Sequence, residues 1–158
     1  MPKNDQLHLI DTSVLVNFEA QFGDSDNAWG TLIDEIVGGR LKTVRQVWDE
    51  IERRWPKIHA RLKLHRKQFL VSDADLYSLV GVAEVRAIQQ HHGKLINELG
   101  SGNPADPLLI AGAKVLAATV VTDERVAGKR HKFKIPFVCR ARGVACKCGA
   151  DYLKELGF

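Results

Sequence analysis

Cysteine, methionine and long apolar runs are all scarce in this chain. Its three cysteines, Cys139, Cys146 and Cys148, cluster late, and an odd number does not make a disulfide framework. Cys146-Lys147-Cys148 leaves one residue between two thiols, whereas a zinc half-site uses two to four. No apolar run approaches the ~20 residues of a membrane helix. The opening residues are polar and lack the apolar segment of a secretory signal, so a cytoplasmic protein is expected. No Gly-x-Gly-x-x-Gly occurs, which argues against a dinucleotide fold. A haloacid-dehalogenase-like phosphatase would need a second Asp where Ser13 stands. A response receiver would need an early acidic pair and a lone Asp ending a mid-chain strand, and neither is found. His59, His65, His91 and His92 show no triad partner and read as surface or satisfied histidines.

What is present fits one globular domain of 158 residues, 45% hydrophobic and 27% charged. The net charge of +4 hides strong segregation. Residues 53–67 hold seven Lys or Arg and no acid, and residues 125–147 hold eight more and no acid. Together these are fifteen of the 23 basic residues, so the excess is concentrated enough to suggest a polyanionic partner. The plainer alternative is a pair of solvated faces.

Periodicity predicts the elements. Residues 7–10 read as a strand ending at Asp11. Val14, Leu15, Phe18 and Phe22 then repeat at helical spacing. Ser25 or Asp26 caps a helix with Trp29, Leu32, Ile33 and Ile36 as its stripe, ended by Gly38-Gly39. A second strand is expected at 41–44, then a helix with Val47, Trp48 and Ile51 inward and Glu50 beside Asp49 and Glu52. Past Pro56 the basic segment has an amphipathic face at Ile58, Leu62 and Leu64 or His65. Ser72-Asp73-Ala74-Asp75 opens one long helix to about Gln90, with Leu76, Leu79, Val80, Val82, Ala83 and Ile88 largely inward. Residues 91–102 form a polar connection, and 103–106 begin the next helix. A buried strand is expected at 117–121, further strands at 135–138 and 144–146, and a terminal helix from 149 to 156. The order implies an α/β sandwich with a short, mostly parallel central sheet.

Active sites of such sheets gather beyond the carboxyl ends of the strands. Asp11 follows the first strand and Asp123-Glu124 follows the 117–121 strand. Asp106 lies in the first turn of the helix feeding that strand, and Glu50 on the helix after the second. Singly, each has a plain reading: a cap, a macrodipole partner or a solvated face. Jointly, they raise an electrostatic problem. Two carboxylates about 4 Å apart repel by roughly 4 kcal/mol at an effective dielectric of 20. A divalent cation resolves this, and oxygen-only ligands favour Mg2+ or Mn2+. Such a site suits phosphodiester hydrolysis. Arg53 and Arg54 begin three residues after Glu50, and Arg125, Lys129 and Arg130 follow Glu124 closely. Two of the acids, Glu50 and Glu124, therefore have a cationic arm beside them for a nucleic-acid backbone.

Four motifs in order resemble the PIN-domain family across nearly the whole chain: Leu9-Ile10-Asp11-Thr12-Ser13-Val14-Leu15, Val47-Trp48-Asp49-Glu50-Ile51, Ala105-Asp106-Pro107-Leu108-Leu109-Ile110-Ala111 and Val120-Val121-Thr122-Asp123-Glu124. The chain looks closest to small prokaryotic PIN-like proteins with an Ile135-Pro136-Phe137-Val138-Cys139 segment after the last acidic motif. The resemblance implies a PIN-like three-layer α/β/α sandwich and a VapC-like, magnesium-dependent ribonuclease of the kind that serves as toxin in toxin–antitoxin pairs. It implies Asp11, Glu50 and Asp106 as central acids. The fourth falls on Glu124, where Asp or Asn is usual in the family, with Asp123 as the alternative. Thr12, Ser13 and Thr122 match positions that orient acids or bind a metal water. A homodimer and an antitoxin partner are also implied, with residues 73–90 and 48–55 as candidate contact surfaces. The rival is a PIN-like module without catalysis that binds a protein or nucleic acid.

Overall fold

The computed structural model describes residues 5–92, 105–124 and 134–158. Residues 93–104, with the expected polar connection and Asn103-Pro104, lie outside this description. So do residues 125–133, with Arg125, Lys129 and Arg130.

Strand β1 (His8–Ile10) leads through Asp11 into α1 (Thr12–Phe22), and α2 (Asp26–Val37) follows. Ser25, one of the two expected caps, accepts from the Ala28 N–H at 3.2 Å. Strand β2 (Leu41–Lys42) precedes α3 (Arg45–Arg54), α4 (Pro56–Leu62), a 3-10 turn (Lys63–His65) and α5 (Arg66–Phe69). Next come α6 (Asp73–Leu76), α7 (Leu79–His91), α8 (Ala105–Leu116), β3 (Thr119–Val121), α9 (Ile135–Arg142), β4 (Cys146–Lys147) and α10 (Gly149–Glu155).

The sheet has the order β2-β1-β3-β4 and every pairing is parallel. Leu9 lies opposite Val120, and Ile10 opposite Val121. Residues of β1 and β3 are buried on both sides, as expected of a parallel sheet covered on both faces by helices. The chain passes from β1 outward to β2 and returns to β3 on the other side of β1. The switch point therefore falls between the carboxyl ends of β1 and β3, where a crevice must open. Thr43, fully buried after β2, donates to the Ile10 carbonyl at 2.8 Å and holds that end together.

Three expectations are corrected. Residues 135–138 are helical, not a strand. Pro136 sits in the first turn, where its missing N–H costs nothing, and Ile135, Val138 and Cys139 are buried at helical spacing. Gly143, at φ 70°, ends that helix in the left-handed conformation. The strand expected at 144–146 is shorter, starts two residues later and ends one residue later, at Cys146–Lys147. In the basic segment Ile58 and Leu62 are buried as expected, and of the two alternatives that follow, His65 is half-buried while the 3-10 turn leaves Leu64 83% exposed.

The single helix expected over 73–90 is two. Ser78 starts a second helix by accepting from the Gly81 N–H at 3.3 Å. The new phase buries Gly81, Glu84 and Ile88 and turns Leu79, Val80 and Ala83 outward, against the inward expectation for all three. Gly81 sets the break: a Cβ there would collide with the backbone carbonyl of Leu76, which cannot swing aside. Gly81→Ala is therefore expected to destabilise the fold by about 1–3 kcal/mol despite the better helix propensity of Ala. Urea unfolding checks this, and an unchanged or raised midpoint would contradict the account.

Candidate functional site

Asp11 is the centre of the crevice. It leaves β1 in extended conformation and caps α1, its Oδ1 accepting the Thr12 N–H at 2.8 Å. Its Oδ2 accepts two hydroxyls, Ser13 Oγ at 2.8 Å and Thr122 Oγ1 at 3.0 Å. Those hydroxyls have matched surroundings. Ser13 Oγ accepts the Asp123 N–H at 3.1 Å, and Thr122 Oγ1 accepts the Glu124 N–H at 3.2 Å. Each thus receives a backbone proton and points its own at Asp11. Burial raises the pKa of Asp11, these three bonds oppose that rise, and Glu50 adds to it.

Glu50 reaches the pocket from α3. Thr12 Oγ1 donates to its Oε2 at 2.9 Å, and Arg54 stands 3.7 Å from its Oε1. Asp106, in the first turn of α8, is only 6% exposed. Burial, then Asp11, Glu124 and Glu50, push its carboxyl up to about 9, with Lys134 pulling the other way. Glu124 follows β3 and accepts the Ile135 N–H at 2.8 Å, which tethers it to the start of α9. Burial raises Glu124 as well, against the Ile135 N–H, and Asp11 adds to the rise.

The four acids expected to converge therefore share one electrostatic environment, although they come from four separate segments. Asp123, the alternative for the fourth position, has partners of its own. Asp123 turns away: its Oδ1 accepts the Gly149 N–H at 2.8 Å and its Oδ2 accepts Asn17 Nδ2 at 2.7 Å. It clamps α1 to α10, and Glu124, not Asp123, is the neighbour that raises Asp106. Gly149 is required for this clamp, because a Cβ would stand 2.8 Å from Asp123 Oδ1. Asn17, Gly149 and Lys134 escaped sequence reasoning. Only Lys134 carried a signal, its place in the second basic stretch.

The donor set has the chemistry of a hard-cation site, with carboxylate oxygens alone and carboxyls held above their ordinary pKa by burial and then by one another. Among the described residues, no three Asp, Glu, His or Cys side chains stand close enough to hold a metal ion directly.

The cations divide. Arg53 and Arg54 are exposed at the end of α3, beside Glu50. Others serve the fold. Arg61 donates to the Gly23 carbonyl at 2.9 Å, Arg142 forks onto Glu84 at 2.7 and 3.1 Å, and Lys147 donates to Glu155 at 2.6 Å. All three cysteines are free, Cys139 buried and Cys148 exposed. No described helix is long and apolar enough to cross a membrane.

A family model described as a domain of unknown function (DUF4411) matches residues 8–158, nearly the whole chain and all four acidic segments. No curated protein and no solved structure matches the chain.

A raised carboxyl pKa in the folded state has a definite consequence. The contribution of Asp106 to stability is fully present below its unfolded value near 3.8 and is lost as pH rises toward about 9. In metal-free buffer, Asp106→Asn is therefore expected to be near neutral at about pH 4 and stabilising by about 1–3 kcal/mol at about pH 9. Urea unfolding with a chelator present measures this. An equal effect at both pH values would sink the account.

Proposed function

The chain belongs to the DUF4411 family, and we propose that it is a PIN-like, divalent-metal-dependent ribonuclease. The observation that carries this reading is the convergence of Asp11, Glu50, Asp106 and Glu124 at the switch point of a parallel sheet, where burial and mutual repulsion raise Asp106 to about 9. A protein gains nothing in stability from such an arrangement. It gains a site that binds a cation.

Asp11, Asp106 and Glu124 would hold Mg2+ or Mn2+, which supplies activation of water and neutralisation of charge on the phosphoryl oxygens. The chain's own groups do the positioning. Ser13 and Thr122 fix Asp11, Thr12 fixes Glu50, and the Ile135 N–H fixes one oxygen of Glu124. Arg53 and Arg54, with Arg125, Lys129 and Arg130, supply the phosphate-gripping charge. The toxin role, the antitoxin partner, the homodimer and the cytoplasmic setting belong to the same proposal. The exposed apolar residues Tyr77, Leu79 and Val80, within the 73–90 segment, suit such association.

One observation favours the rival, a binding module without catalysis: the described acids are not spaced to hold a metal without side-chain movement. Cleavage of mixed RNA with and without Mg2+ decides between them. Asp11→Asn is expected to lower metal-dependent cleavage by about 100-fold or more, and Ser13→Ala or Thr122→Val by about 10–100-fold. Equal activity in wild type and Asp11→Asn would trace the cleavage to a contaminant, and no cleavage across many RNAs and metals would favour the binding module.

The cationic arms have their own test. Neutralising Arg53, Arg54, Arg125 and Lys129 together should weaken RNA binding and flatten its salt dependence by about 0.7 in log–log slope per lost contact. An unchanged slope would assign these residues to solubility or to a protein partner.

A further inference from the structure

The acid pocket makes no use of the three cysteines, yet two of them are neighbours. Gly143 ends α9 in the left-handed conformation, and the Val144 N–H returns to the Cys139 carbonyl at 2.8 Å. This turn lays β4 against α9 and brings Cys146 beside Cys139. The Cys139 thiol donates a hydrogen bond to the Cys146 sulfur. That contact and burial raise the pKa of Cys139, whereas the same contact lowers that of Cys146 against its own burial. Cys139 is fully buried. Cys146 is half-buried and lines an open cleft of about 400 Å³ with Thr122, Glu124 and Arg140. One thiol is thus reachable, and the other stands behind it.

We infer that Cys139 and Cys146 are a redox-active pair, closed to a disulfide by a low-molecular-weight disulfide such as oxidised glutathione, and that closure restrains Glu124. The restraint rests on the metal-dependent reading above, and the pair itself does not. The Cys146 sulfur attacks one sulfur of the oxidant, forming a mixed disulfide and releasing one glutathione. The Cys139 sulfur then attacks that of Cys146 and displaces the second glutathione. Both thiol protons leave on the released glutathiones, so two cysteines are oxidised and one oxidant is reduced. Such exchange needs a reachable attacking thiol with a resolving thiol next to it, and the pair is built in that order. In reducing compartments, disulfides of this transient kind serve sensing.

Closure reaches the acids through α9. Cys139 lies one turn after Ile135, whose N–H holds Glu124. The charge of Glu124 acts on both thiols, so carboxylate and pair share one neighbourhood. A sulfur–sulfur bond of about 2 Å draws the pair together and pins α9 to β4. Among the described residues the acids must move to hold a metal ion directly, and a pinned α9 keeps Glu124 on its tether.

Trypsin places the three cysteines in separate peptides, 135–140, 143–147 and 148–154. The experiment equilibrates full-length protein with oxidised glutathione, blocks free thiols with iodoacetamide in denaturant and maps the peptides by mass spectrometry. Peptide 135–140 linked to 143–147 is the expected main product. Cys139→Ala should leave a glutathione adduct on Cys146, and Cys148→Ser should leave the linkage unchanged. Glutathione adducts alone, linkage through Cys148, or no reaction at Cys146 overturns the pair, whether or not RNA is cleaved. Titration with Mn2+ then reads the restraint: the oxidised protein is expected to bind about tenfold more weakly, in wild type and Cys148→Ser alike, with recovery on reduction by a phosphine. Equal affinity in both redox states overturns the hold on Glu124. Linkage in a protein that neither binds Mn2+ nor cleaves RNA when reduced leaves the pair standing and sinks the nuclease reading.

Discussion

Everything in the pocket depends on how Asp11 is held. Two hydroxyls, from opposite sides of the switch point, give their only protons to the same oxygen, and neither can turn away because each already receives a backbone N–H. The carboxylate is therefore fixed in rotamer, and these bonds oppose the rise in pKa that burial imposes on it. The lock also ties β1 to β3 beyond their ladder, so the geometry of the sheet and of the site are one constraint.

With Asp11 kept as an acceptor, repulsion among the acids must be relieved elsewhere, and Asp106 has the least support. It is deeply buried and three acidic neighbours raise it, against a single opposing cation, Lys134. Without a metal, the pocket relieves itself by leaving a proton on Asp106. With a divalent cation, the same carboxyl can ionise and become a ligand. On the proposed metal-dependent reading, proton and metal ion would compete for one position, and affinity for the metal would rise with pH over the range in which Asp106 would otherwise stay neutral.

The parts legible in the sequence were those fixed by short-range pattern. A strand running straight into a helix through Asp11-Thr12-Ser13, and the β-branched run before Thr122, placed two acids at strand ends because strand polarity needs no tertiary information. The parts that failed were decided by contacts over distance. The apolar run at 135–138 looks extended by residue type, and only its burial at three- and four-residue spacing makes it a helix. The break at Ser78 arises from one backbone approach, Gly81 to Leu76, that no periodicity encodes. The choice between Asp123 and Glu124 turned on Gly149 and Asn17, residues 26 and 106 positions away from Asp123.

The pairing of β1 with β3 carries a consequence for synthesis. Thr122 lies 111 residues beyond Asp11, and the central strands meet only when the segment ending in β3 is available. Until then Asp11 has one of its two hydroxyl donors, Asp106 has no Glu124 beside it, and the crevice has one wall. A partly made chain still leaving the ribosome therefore lacks the assembled pocket. The cell that makes it is exposed to the assembled pocket only after most of the chain has been translated, and this delay is built into the strand order itself.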